Sequence, residues 1–175
     1  MGWQQAADNL YAETTFVCPA YWIADAYSPS VNQNAKGKVA WRYQFSVTDA
    51  FNGADVAPLV DNVLTQGTRM DQTFRRSFQS IWSRFIIRGD PTLEPVTGRP
   101  TGDNVSASTA DSWKPWGTAG NYAGGDGHGY SMLNLNVTDA APQVANWQVV
   151  DGITWEGGRA ARCALWAALG AQAQL

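Results

Sequence analysis

Lys38-Val39-Ala40-Trp41-Arg42-Tyr43-Gln44-Phe45-Ser46-Val47 is the stretch whose reading decides the fold class. Val39, Trp41, Tyr43, Phe45 and Val47 alternate with Ala40, Arg42, Gln44 and Ser46. A period of two predicts a strand over 38–47 with one apolar face and one polar face. Residues 49–53 break it. Downstream, Phe74, Phe78, Ile81, Trp82 and Phe85 recur at spacings of three and four, which predicts an amphipathic helix over 71–88. Asp71 can cap its start, and Gly89-Asp90-Pro91 stops it. Residues 130–136 alternate again and predict a second strand.

The flanks are helical. A weak helical pattern covers 3–12. Residues 15–27 are apolar nearly all round, with Pro19 suited to a first turn, where its missing N–H costs nothing. An Ala-rich helix over 155–169 carries Cys163 and Trp166. Residues 32–37 read as a turn. Residues 92–129 read as a long irregular loop, unusual in a compact domain. Strands separated by a helical crossover imply an α/β class. Two strands are a marginal sheet by themselves. The expectation is a single partial domain over 1–175, with an incomplete sheet and packed helices.

Composition excludes several functions. The 175 residues carry 15 acidic and 12 basic side chains and one His, for a net charge of −3. That balance argues against a nucleic-acid binder, which needs a basic patch. One His and two Cys exclude His-rich metal sites and a zinc ribbon, so no metal and no cofactor is expected. No run approaches the about 18 apolar residues of a membrane span, and the N-terminus lacks the pattern of a secretory signal. Asn104-Val105-Ser106 and Asn136-Val137-Thr138 are nonetheless glycosylation sequons. Cys18 and Cys163 form an even pair that fits either a disulfide or two buried free thiols. A signal-less start beside such features is read as Met1 not being the natural start. The nine Trp, six Tyr and six Phe read as core packing before a sugar-stacking surface, because Trp41, Trp82 and Trp166 sit at core spacings.

A serine hydrolase of the α/β type needs G-x-S-x-G. That pattern is absent. Gly129-Tyr130-Ser131-Met132-Leu133, next to His128, lacks the second glycine and opens a strand, so no nucleophile turn forms there. The glycine-rich run 124–129 has no phosphate-loop spacing and reads as a flexible loop. Asp49 and Asp55 flank the strand end and read as turn residues before an acid/base pair.

Several segments together resemble the type B carboxylesterases and lipases, the group that includes the cholinesterases, and most of all its fungal members. Phe16-Val17-Cys18-Pro19 resembles the family's F-x-C-P helix start. Val39 to Phe45 resembles its V-Y-x-Y-x-F strand, and Asn52-Gly53-Ala54-Asp55 stands where H-G-x-E/D follows. Trp82, Phe85 and Gly89-Asp90-Pro91 resemble W-x-x-F-x-x-x-G-D-P. Trp113-Lys114-Pro115-Trp116 resembles W-P-x-Y. Met132 to Leu135 resembles the last strand, and Arg162-Cys163-Ala164-Leu165-Trp166 the C-x-F-W helix. The segments keep the family's order across residues 10–170.

The resemblance implies the C-terminal third of an α/β-hydrolase fold, with the nucleophile elbow, the oxyanion-hole glycines and the acid lying upstream. It implies a Cys18–Cys163 disulfide and a secreted parent; the compartment of this chain stays open. The family's catalytic His is the first residue of H-G-x-E/D, and here it is Asn52. Asn has no nitrogen that titrates near pH 7, so it cannot shuttle the serine proton. His128, in a distant Gly-rich segment, is not expected to substitute. Asp55 is expected to be an acid that orients the site without touching the reacting atoms. The function implied is a carboxylesterase/lipase-like fragment that is catalytically incomplete. Its partner would be the missing N-terminal part of the hydrolase domain, or a second copy across an exposed sheet edge. The alternatives are a non-enzymatic interaction protein on the remnant fold, or a gene piece with no selected function. A chain whose aromatic faces were built to cover a larger sheet is expected to be poorly stable alone.

Overall fold

The computed structural model describes residues 2–28, 32–48, 50–60, 70, 72–93, 113–119, 128–138 and 144–173. They form a mixed α/β structure, with helices beside a three-stranded mixed sheet and a separate two-stranded ribbon. Helix α1 (Trp3–Ala12) runs without a break through a π-helical turn, Glu13–Val17, into α2 (Cys18–Ala26). Pro19 is the second residue of α2, in its first turn as expected, although the helical run continues ahead of it. The wider turn ahead of it removes the tight i to i−4 ladder that a proline ring would strike. Thr14 Oγ1 donates back to the Leu10 and Tyr11 carbonyls, at 2.9 and 3.3 Å.

Strand β1 covers Arg42–Phe45, well inside the expected 38–47. Residues 38–41 precede it without entering the sheet. The two-faced expectation needs correction as well. Arg42, assigned to the polar face, is 8% exposed, while Val39 on the apolar face is 53% exposed. The Tyr21 ring lies against the Arg42 head, so alternation here does not separate core from solvent.

A short helix, α3 (Val56–Val60), and the long α4 (Gln72–Arg88) fill the connection after β1. The proposed capping residue Asp71 lies outside the described residues, as does Asp49. Within the expected loop 92–129, β2 (Thr118–Ala119) and β3 (His128–Gly129) pair antiparallel. Strand β4 (Ser131–Val137) matches the expected second strand. Strand β5 (Ala145–Asp151) was not expected, although Ala145 and Trp147 face inward and Asn146 and Gln148 outward. Sheet order is β1-β4-β5. The Thr138 N–H donates to the Val144 carbonyl at 2.9 Å and the Gly152 N–H to the Tyr130 carbonyl at 2.8 Å. These two bonds close opposite ends of one β4–β5 hairpin.

Helix α5 (Trp155–Ala173) contains a left-handed stretch at Glu156, Gly157 and Gly158, with φ of 49°, 71° and 80°. The regular helix thus begins at Arg159, later than the expected 155. Two glycines tolerate that backbone at little cost, and Arg162 Nη1 donates to the exposed carbonyls of Glu156 and Gly157 at 3.2 and 3.1 Å.

The chain divides into two compact units. One comprises residues 1–42, 115–131 and 151–175. Its helices are stapled by the Cys18–Cys163 disulfide, with both cysteines buried. Glu13 accepts from Arg162 Nη2 at 2.6 Å and from Trp166 Nε1 at 3.3 Å, so the π-turn is tied to α5 a second time. The other unit comprises residues 43–114 and 132–150. Phe74, Phe78 and Ile81 of α4 are buried there. Phe74 packs edge-on to Trp147 of β5 with ring centroids 5.3 Å apart, and Phe45 of β1 meets Phe74 and Phe78.

Candidate functional site

The turn after β1 is where the sequence argument placed the chemistry. Successive backbone bonds build it. The Ala50 N–H donates to the Val47 carbonyl, that of Ala54 to Phe51, and that of Val56 to Gly53, all at 2.9–3.0 Å. Gly53 holds φ of +81°, a conformation that favours glycine. Asn52 is exposed on this turn. Asp55 is half-buried, and its Oδ2 accepts the Tyr43 hydroxyl proton at 2.7 Å. Burial, reinforced by that bond and the Asp55 charge, pushes the Tyr43 phenol well above its ordinary range. Tyr43 is wedged edge-on against Phe78 and Trp82, with centroids 5.7 and 6.1 Å away. Sequence reading named Asn52 and Asp55 but missed Tyr43 as the acid's partner. The pairing needed β1 and the turn in three dimensions.

The arrangement is poor in proton-transfer capacity. Asn52 cannot titrate near neutrality, and Asp55 is engaged by a phenol that stays protonated. Ser131 is fully buried in β4, so its hydroxyl is not offered to an incoming carbonyl. His128 belongs to β3, in the unit that does not contain Asn52. Among the described residues, no three of His, Cys, Asp and Glu converge as a metal set. Nor is any helix among them long and apolar enough to cross a membrane. Asn104 lies outside the described residues. Asn136 is half-buried near the end of β4, its Oδ1 accepting from the Val137 N–H at 2.8 Å.

Trp41, Trp82 and Trp166, on which the core expectation rested, are each half-buried. Trp113, Trp116 and Trp147 are buried, as core residues are. Trp3, however, is 95% exposed, and Tyr11, Phe16, Trp22 and Ile23 of the same helical run are also exposed. On α4, Phe85, Ile86 and Ile87 face solvent near its C-terminal end. A second polar cluster, which sequence reading did not single out, lies in the disulfide-bonded unit. The Arg42 guanidinium carbon stacks 3.5 Å from the Tyr21 ring centroid and 5.1 Å from that of Trp116. The Tyr21 hydroxyl donates to the Gly152 carbonyl at 2.6 Å, and Trp116 Nε1 to Asp25 Oδ1 at 2.7 Å.

No family model, no curated protein and no solved structure matches this chain.

Proposed function

We propose that this chain is a carboxylesterase-like polypeptide without a working proton relay, which does not hydrolyse esters. The observation that carries the reading is Asn52 at the exposed turn directly after β1, in the position the resemblance gives to the catalytic His. The Asp55 carboxylate beside it is committed to Tyr43. An ester hydrolase of that lineage would act through an acyl-serine intermediate, which needs a base to take the serine proton. Purified chain with p-nitrophenyl acetate and butyrate is expected to show no turnover above buffer. Turnover that disappears in Ser131→Ala or His128→Ala would overturn the reading.

A second reading is favoured by the exposed aromatic and aliphatic side chains of the α1–α2 run and of the end of α4. Exposed apolar side chains of this kind are where proteins bind partners or their own copies. On that reading the fold remnant serves as a non-enzymatic interaction protein, its partner being the remainder of a hydrolase domain or a second copy at a sheet edge. Light scattering separates the two. Concentration-dependent association supports the interaction protein, and a monodisperse monomer up to high concentration counts against it.

A further inference from the structure

We propose that the edge of the Arg42 guanidinium is a binding site for a small oxyanion, of the carboxylate or phosphate type. Arg42 is more than nine-tenths buried. Tyr21 covers one face of its planar head at stacking distance, and Trp116 lies further off. Stacking engages the faces of a guanidinium and leaves its N–H fork pointing outward in plane, toward whatever lies at the edge. Nη1 is buried there with no hydrogen-bond partner among the described residues.

Acceptors in this unit serve other donors. Asp25 accepts from the Trp116 indole, and the Gly152 carbonyl from the Tyr21 hydroxyl. Asp151 accepts from the Ile153 N–H at 3.0 Å and from the Thr154 hydroxyl at 2.9 Å. A second arginine, Arg159, is also buried in this unit; its head pairs with Glu156. Burial draws the Arg42 guanidinium down to about 10, with Arg159 adding repulsion that Tyr21 and Asp25 oppose, so the head stays charged at neutral pH. A charged donor left bare in such a place is costly, and an oxyanion is the partner whose geometry fits the fork. With Arg42 only 8% exposed, a small ion is the occupant proposed. The site is independent of the Asn52 turn and of the esterase reading.

The test uses the whole chain with inorganic phosphate and acetate, titrated at constant ionic strength against chloride. Thermal melts are expected to show a saturable rise in Tm of about 5–10 °C at one hundred times the half-saturating concentration. In ¹⁵N spectra of the arginine side chains, the Arg42 Nε resonance is expected to shift with the same half-saturation. Arg42→Lys, which keeps the charge but not the fork, is expected to weaken the response at least tenfold. A Tm rise equal to that in chloride, or an Arg42 resonance unmoved by either probe, would overturn the site. If Arg42→Lys does not fold, the resonance titration of the unaltered chain decides alone. A response to phosphate without acetate identifies a phosphate site, and equal responses identify a general oxyanion site.

Discussion

Replacing Cys18 and Cys163 together by alanine removes a cross-link between residues 145 positions apart in sequence. In the chain-entropy account, a closed loop of that length restricts the unfolded chain by about 5 kcal/mol at 25 °C, while measured values typically fall near 2–4 kcal/mol. Across the same helices the structure also supplies the Glu13–Arg162 pair and a long Trp166–Glu13 hydrogen bond. Arg162 is too exposed for that pair to contribute more than about 1 kcal/mol. The expected loss is therefore about 3 kcal/mol, a large share of a typical total of about 5–15 kcal/mol. With a urea slope of about 1.5–2 kcal/mol/M, the midpoint should fall by about 1.5–2 M. The assay is urea unfolding followed by Trp fluorescence, with the unaltered chain in reducing agent as a second arm. Reduced chain and double variant should superimpose. A midpoint shift below about 0.5 M in both arms would refute the argument, because it would show that the cross-link does not restrict the unfolded ensemble.

Gly152→Ala would place a Cβ 2.6 Å from Trp116 Cζ3 and 3.2 Å from the Tyr130 carbonyl; a loss of about 1–3 kcal/mol in urea unfolding is expected. Tyr43→Phe removes the hydroxyl bound to Asp55 and should cost about 1 kcal/mol, while leaving ester turnover at the buffer rate. The hydrogen bond from Arg162 holds the Glu13 carboxyl below its ordinary 4.5, against a smaller opposing effect of burial. Its contribution is thus fully present above pH 4.5 and lost as pH falls through the lower folded value. Stability measured against pH should show that acid limb, and Arg162→Met should flatten it. Asn52→His alone is expected to give no esterase activity, since the sequence carries no G-x-S-x-G nucleophile turn for that histidine to serve; measurable p-nitrophenyl ester hydrolysis by this variant would contradict the expectation.

Much of the helical content was legible because it depends on local periodicity. Phe74, Phe78 and Ile81 recur every three or four residues and are buried on α4. The β4 alternation was legible for the same reason. Strand β5 carried a readable signal in Ala145, Trp147 and the polar residues between them, but no Asn-Gly or Asp-Gly turn announced the hairpin. The left-handed start of α5 was foreshadowed by Gly157-Gly158. That Glu156 shares the conformation follows from Arg162 reaching back to the carbonyls of Glu156 and Gly157.

The sequence by itself determined the α/β class, the main helices and the absence of a titratable residue at position 52, since each depends on residue identity or on neighbours a few positions away. Spacing alone left the two cysteines open between a bridge and free thiols. Packing of α2 against α5 decided it, because only folding brings positions 145 apart to a Cα separation of 5.1 Å. Tertiary structure likewise decided Arg42. Alternation in 38–47 assigned it to the polar face of a half-solvated strand. Tyr21 and Trp116, distant in sequence, cover that face and turn an expected surface cation into a buried one.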